Sequence, residues 1–536
     1  MDLRQPAGDP EGSRPYHRSV VSSWHDPDAP WWKSSVFYEV YPRSFAEGGR
    51  GTPGVGDLEG IRHRLDHLQW LGVDGVWICP FYPSPMADFG YDVADYCDVD
   101  PLFGTLEDFD RLVADAHARG IRVVVDWVPN HTSDRHPWFV ESRSSRDNPK
   151  RDWYVWRDRP NNWRAAFGGP AWTWDEGTAQ WYLHMFLPQQ PDLEWHNPEV
   201  AEAMHGVLRF WLDRGVDGFR IDVTHGLGKD PALPDDPPDS VLPHSAVNDH
   251  PDAHRILRAL RALVDTYPGD RALIGEVYLL DTRKVARYFG QGDELHLSFD
   301  FTSLLAPWDA AAWQGCLDRV AAELGPIDAW PTWTLSNHDN SRHRTRYGGS
   351  EARARAAAVL LLTLRGSPFL YAGEELGLED AVVPPDRVVD PGNRDPCRAP
   401  IPWDASATHG WGVAEPWLPW PPAPEERNAE TLRADRGSIL HLYRRLIAAR
   451  RASPALALGD LRSLTAPEGV LAYERQADGE RRVVAVNFVS SPTSLDLRAA
   501  GLDGDWQCGL SSDGAGEGER FAGTLLADQA VVLRLA

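Results

Sequence analysis

Methionine and cysteine are scarce, with 4 and 5 residues in a chain of 536. Cys79, Cys97, Cys316, Cys397 and Cys508 stand far apart, are odd in number and form no CxxC pair. That pattern argues against a disulfide framework or a zinc site and suits a reducing compartment. No run of about twenty apolar residues occurs, so no helix is expected to span a membrane. Positive charge is also short. Lys and Arg number 54 against 79 Asp and Glu, leaving a net charge of −25. Nucleic acid and anionic bilayers repel such a surface, so neither is expected as a partner. Residues 1–30 are rich in Pro, Asp and Arg and lack the apolar stretch of a signal peptide. A cytoplasmic location is therefore expected.

Hydrophobic residues make up 42% of the chain and charged residues 25%, as in an ordinary folded protein, and the length calls for two or three domains. Short apolar runs at 36–42, 73–80, 121–130, 216–222, 272–278, 294–301, 332–339 and 368–373 read as strands. Between them, 58–71, 106–119, 198–214, 252–266 and 351–364 read as helices. Parallel strands need crossovers, and this alternation supplies them. Eight such units predict an α/β fold, a (β/α)8 TIM barrel. The gap between the third and fourth strands is too long for one unit, so an inserted subdomain is expected there. After a helix at 437–451 the pattern turns to half-buried strands at 461–464, 470–474, 482–488, 494–497 and 530–535. The resulting division is a flexible tail at 1–30, a barrel at 31–131 and 196–452, an inserted subdomain B at 132–195, and a C-terminal antiparallel β-sandwich domain at 453–536.

In such a barrel the C-terminal strand ends form the active face. The third strand ends in Asp126, Asn130 and His131, the fourth carries Arg220 and Asp222, the fifth Glu276, and the seventh His338 and Asp339. Apolar strands that end in charge are costly unless the charges are paired or used. Any one of them could be a structural ion pair; their convergence on one face points to a site. Arg220 and Asp222 are two apart, so both point the same way, and a guanidinium beside Asp222 favours its ionised form. That is what a glycosidic nucleophile needs. Glu276 follows an apolar run and a glycine, a setting that suits a general acid. His131 and His338 could be metal ligands, but their neighbours give no recognised ligand spacing, and the favoured reading is hydrogen bonding to a neutral substrate.

DWVPNH (126–131), GFRIDV (218–223), GEV (275–277) and SNHD (336–339), in this order, resemble the four signature regions of the α-amylase superfamily, glycoside hydrolase family 13. The resemblance runs from about residue 31 to the C-terminus. QPDLEW (190–195), DFGYDVADY (88–96), the segment 136–158 and NRDPCRAPIPW (393–403) are similar to its oligo-1,6-glucosidase and α-glucosidase group. The resemblance implies a retaining, exo-acting α-glucosidase acting on short α-glucosides, with no cofactor and with monomer and homo-oligomer both open. It implies Asp222 as nucleophile, Glu276 as acid/base and Asp339 as third carboxylate. It also implies that Asp88, Tyr91, His131, Arg220, His338 and Arg398 hold the terminal glucose, with Asp88 and Arg398 pairing at the closed end. Phe167 and Gln190 are candidates for the next sugar.

Two departures bear on this. Many relatives carry an Asp/Asn-rich metal loop after the first strand; here it reads AEGGRGTPGVGDL (46–58), keeping only Asp57, and no metal is expected there. Glu194 stands in QPDLEW where Asn is usual. Val223 goes with α-1,6 cleavage in close relatives, yet Thr224 to Leu227 depart from the isomaltase pattern, so linkage stays open. The alternatives are an α-glucosyltransferase or disaccharide isomerase on the same scaffold, or a non-catalytic glycosidase-like binding protein.

Overall fold

The computed structural model describes Asp26, residues 28–237 and residues 248–536. The tail expected at 1–30 lies almost wholly outside these residues. Eight parallel strands form the barrel: β1 Phe37–Val40, β2 Gly75–Ile78, β3 Arg122–Trp127, β4 Gly218–Ile221, β5 Ala272–Glu276, β6 Leu297–Phe299, β7 Thr332–Thr334 and β8 Ser367–Tyr371. The ladder runs β7-β8-β1-β2-β3-β4-β5-β6. Closure between β6 and β7 comes through a side chain, since Thr332 Oγ1 donates to the Ser298 carbonyl at 2.6 Å. All eight expected strands are present and are shorter than the apolar runs suggested. The residues beyond each strand end turn into the loops that carry the polar groups.

The interior is aromatic and aliphatic, with Phe37, Trp77, Val124, Ile274, Phe299 and Phe369 in one buried cluster. Phe37 and Phe369 stack at 4.4 Å, as their register partnership on β1 and β8 requires. Outside it, helices lay apolar stripes on the strands. The helix Leu106–Ala118 starts with a reciprocal cap between Thr105 and Asp108 and buries Phe109, Leu112, Val113 and Ala116. The segment read as one helix over 58–71 is two, Leu58–His63 and Leu65–Leu71, broken at Arg64.

The long excursion after β3 holds the helix Pro137–Ser142 and a three-stranded antiparallel sheet of Trp156–Arg157, Gln180–Leu183 and Trp172–Asp175. It has its own small core around Trp163, Trp172, Leu183 and Met185. Its returning segment meets the barrel mouth through an isolated bridge between His131 and Asp192.

After the helix Ile439–Ala452 come β9 Asp460–Ser463, β10 Val470–Ala477, β11 Glu480–Asn487, β12 Trp506–Ser511 and β13 Ala530–Leu535, in the order β9-β10-β11-β13-β12. The second layer is only a ribbon, Thr493–Ser494 with Thr524–Leu525, whose Leu525 joins the core under the sheet. β12 was not anticipated. Its register shifts between Cys508 and Leu510, which breaks the alternation that marks a strand.

Candidate active site

Register builds the centre of the site. Asp126 on β3 and Arg220 on β4 are Cα partners. The guanidinium therefore meets that carboxylate, with Nη1 3.0 Å from Asp126 Oδ1. Nη1 also reaches Asp222 Oδ1 at 2.7 Å, just past the end of β4. Nη2 reaches Glu276 Oε2, on the last residue of β5, at 2.8 Å. One buried arginine thus holds three carboxylates, and Asp222 and Glu276 sit on its two terminal nitrogens. Glu276 Oε2 has a second donor, the Val223 N–H at 2.9 Å. Val223 reaches it from a left-handed conformation, φ 47° and ψ 41°, which is strained for a β-branched residue.

Asp339 lies on the loop after β7. Its Oδ1 accepts from Arg394 Nη1 at 3.1 Å and Arg398 Nη2 at 2.9 Å, and His338 Nε2 lies 3.3 Å from Oδ2. Arg394 also grips Asp88 at 2.5 Å and Asp390 at 2.6 Å. The expected pairing of Asp88 with Arg398 is therefore replaced by Asp88 with Arg394. The two arginines are four residues apart on the turn after β8, and the nearer one takes Asp88. Arg398 is fully buried instead, donating to the His338 carbonyl at 2.7 Å.

A cavity of about 400 Å³ opens over these groups and is lined by Asp88, Tyr91, His131, Phe167, Asp222, Glu276 and Asp339, all of them candidate site residues from the sequence. Gln190, Arg220, His338 and Arg398 stand behind that wall. Gln190 Nε2 donates to Asp88 Oδ2 at 2.9 Å, so it supports the wall. Arg394, Phe186, Met185, Tyr278 and His225 line the cavity without having been singled out. Arg394 lay in a quoted motif; the two aromatic residues and the methionine carried no signal distinct from core. Glu194 instead accepts from His196 Nδ1 at 2.6 Å.

Electrostatics depart from the sequence argument at one point. Burial pushes the Asp222 carboxyl well above its ordinary range; Glu276 and Asp126 add to this, and Arg220 opposes it without prevailing. Burial likewise raises Asp126 to about 6 against the pull of Arg220 and His338. One guanidinium shared by three acids cannot stabilise all of them as anions in a dry site. Burial would also raise Asp339, but His338, Arg394, Arg398 and Arg220 outweigh it and hold that acid far below the carboxylate range. Burial lowers His131, keeping it neutral.

Among the described residues, one trio of metal-ligating side chains could share an ion: Glu39, Cys79 and His338. Glu39 Oε1 and His338 Nδ1 are 2.6 Å apart. Ligands at about 2 Å from a tetrahedral ion sit more than about 3 Å from each other, so this contact is a hydrogen bond. Asp57 caps the helix Leu58–His63 by accepting from the Gly60 N–H at 2.6 Å, and its other oxygen lies 3.3 Å from the Arg50 N–H. Among the described residues, no helix is long and apolar enough to cross a membrane.

The model of the alpha amylase catalytic domain matches residues 39–459. A probable alpha-glucosidase of Rhizobium meliloti is 41% identical over 521 residues, covering 89% of this chain and 93% of that protein. An oligo-1,6-glucosidase of Parageobacillus thermoglucosidasius is 35% identical over 512 residues, covering 85% and 90%. The crystal structure of the alpha-glucosyl transfer enzyme XgtA superposes with a TM-score of 0.87 at 39% identity, covering 95% of this chain and all of that one. The carboxylate-lined pocket at the C-terminal end of an eight-stranded barrel and these likenesses agree: the chain belongs to the alpha-amylase family, glycoside hydrolase family 13.

Proposed function

We propose that the protein is a retaining α-glucosidase that removes terminal α-linked glucose from short α-glucosides. The observation that carries this is the pair Asp222 and Glu276 on the two arms of Arg220, lining one pocket together with the Asp88–Arg394 ion pair. In this reading that ion pair closes the pocket, which then admits a chain end and not a chain middle.

In this reading Glu276 gives a proton to the glycosidic oxygen while Asp222 attacks the anomeric carbon. The aglycone leaves as an alcohol and a β-glucosyl ester forms on Asp222. Glu276, now a carboxylate, takes a proton from water, which attacks the same carbon, frees Asp222 and releases α-glucose with configuration retained. Retaining pairs stand roughly 5–5.5 Å apart, a separation that one shared guanidinium can span. Asp339, fixed as an anion by two arginines, would accept hydrogen bonds from the sugar hydroxyls.

Glucosyl transfer is the second reading. Ala166, Phe167, Met185, Phe186 and Val223 line the cavity. Such a wall holds water poorly and leaves room for an alcohol in its place. The likeness to an alpha-glucosyl transfer enzyme favours the same reading. Products from maltose, isomaltose, trehalose and sucrose, identified by chromatography, test both. Glucose alone means hydrolysis, new oligosaccharides mean transfer, and no turnover of any α-glucoside would refute both.

A further inference from the structure

Glu39 sits within β1 and is 1% exposed, and none of the steps above uses it. A carboxylate inside a parallel barrel is costly unless its contacts offset the lost water. Its contacts converge on one residue. Oε1 accepts the His338 backbone N–H at 3.1 Å and lies 2.6 Å from Nδ1 of the same histidine. The Cys79 thiol is 3.7 Å from that oxygen and 3.6 Å from Nδ1. A carboxylate oxygen that takes both contacts accepts in both, so Nδ1 carries a hydrogen.

On the other side of the ring, Nε2 lies 2.7 Å from the Tyr91 hydroxyl and 3.3 Å from Asp339 Oδ2. The Tyr91 hydroxyl also meets Asp126 Oδ2 at 2.9 Å. Tyr41 and Tyr91 lie parallel to the imidazole at 6.0 and 5.4 Å, and Trp77 meets it edge-on at 5.8 Å. Of His338 itself, the Arg398 guanidinium meets the backbone carbonyl and not the ring, as does the Cys397 thiol at 3.5 Å.

A phenol has one hydroxyl proton to give. If it goes to Asp126, then Nε2 must carry a hydrogen, and the pair is imidazolium with carboxylate. If it goes to Nε2, then Asp126 must carry a hydrogen, and both groups are neutral. The two arrangements hold the same number of protons. What separates them is charge, and an anion against Nδ1 favours the first.

We propose that Glu39 is a positioning residue for the sugar site: it holds His338 doubly protonated, turns the Tyr91 proton toward Asp126, and so keeps Arg220 anchored between Asp126, Asp222 and Glu276. The path is continuous. Its contacts from Glu39 through His338, Tyr91, Asp126 and Arg220 to Asp222 measure 2.6, 2.7, 2.9, 3.0 and 2.7 Å. The kinetic side of the inference rests on the α-glucosidase reading; the proton arrangement does not.

Glu39→Gln keeps the shape and removes the charge, and thermal unfolding checks that the variant folds. Nitrogen NMR of histidine-labelled protein near neutral pH, with His338 assigned by the signal lost in His338→Asn, should show two protonated ring nitrogens in the wild type and one in Glu39→Gln. On a chromogenic α-glucoside, kcat should fall about tenfold or more, with KM held within about twofold. The acid limb of kcat/KM should move to lower pH, because one buried anion beside the acids is gone. Glu39→Asp keeps the charge and should be more active than Glu39→Gln. An unchanged His338 signal in Glu39→Gln, or wild-type kcat and pH profile, overturns the proposal, as does the reverse order of the Asp and Gln variants. A wild type inactive on all α-glucosides defeats the functional reading alone, and the NMR signal still decides the proton arrangement.

Discussion

Arg220 and Arg475 are both almost wholly buried, at 2% and 0% exposure, yet their surroundings are opposite. Arg220 meets three carboxylates at the C-terminal end of the barrel. Arg475, on β10 near the other end, donates to the Thr363 carbonyl at 2.5 Å and the Gly459 carbonyl at 2.9 Å. Its neighbour Arg450 likewise serves the carbonyls of Leu362 and Leu364, at 3.2 and 3.1 Å. These two arginines satisfy the last carbonyls of the helix Glu351–Thr363 and tie the C-terminal sheet to the barrel. Burial lowers Arg450 to about 10 and, with Arg450 alongside, takes Arg475 well below the usual arginine value. At Arg220 burial pulls the same way, but Asp126, Glu276, Tyr91 and Asp222 outweigh it and raise the group. Depth of burial is the same at both ends. The partners decide whether an arginine serves chemistry or architecture.

That contrast can be broken at either end. The largest effect is expected from Asp222→Ala, which should lower kcat by about 10⁴-fold or more in steady-state assays while the unfolding temperature stays close to wild type. Arg220→Lys keeps the charge and loses the fork that spans Asp222 and Glu276. It should cost about 10²- to 10³-fold in kcat, and a loss below about tenfold would show that the fork is not needed. Arg475→Met should do the reverse. Denaturant titration should show a loss of about 3 kcal/mol, from carbonyls left without donors, with kcat within about twofold of wild type.

Two smaller effects sharpen the comparison. In the proposed mechanism Asp222 must ionise to attack, and its folded value is raised, so kcat/KM should fall as pH drops through a midpoint above the ordinary aspartate range of about 4. An acid limb at or below that range would contradict the raised value. The same shift bears on stability. A carboxyl raised by folding binds its proton more tightly in the native state, so its cost is absent below the unfolded value and grows as pH rises toward the folded one. Asp222→Asn should therefore raise the unfolding temperature near pH 7 by about 1–3 °C and have little effect below about pH 4.

Much of the fold was legible because a parallel barrel buries its strands on both faces, and buried strands read as apolar runs. β3 and β4 are examples: VVVDW and GFRID carry an aspartate at or next to the end of an apolar run. The insertion showed as a spacing too long for one unit. β12 did not show, because Gly509 and the shifted register around it break the period of two. In the site, the strand-end acids were legible for the same reason as the strands. The sign of the shift at Asp222 was not, because it depends on how many acids share Arg220 and how dry they are. Nor was the choice between Arg394 and Arg398 for Asp88, which is fixed by a turn and not by spacing. Glu39, a carboxylate within the apolar run 36–42, was not singled out, because its partner His338 is 299 residues away.

The central claim is that Asp222 carries the sugar between the two steps. Incubating the enzyme with a fluorinated α-glucosyl fluoride that forms the ester quickly and hydrolyses slowly, then mapping peptides by mass spectrometry, tests it directly. One added fluoroglucosyl group per chain, on Asp222, is the expected result. A label on Glu276 or Asp339, or fluoride release with no labelled peptide, would contradict it.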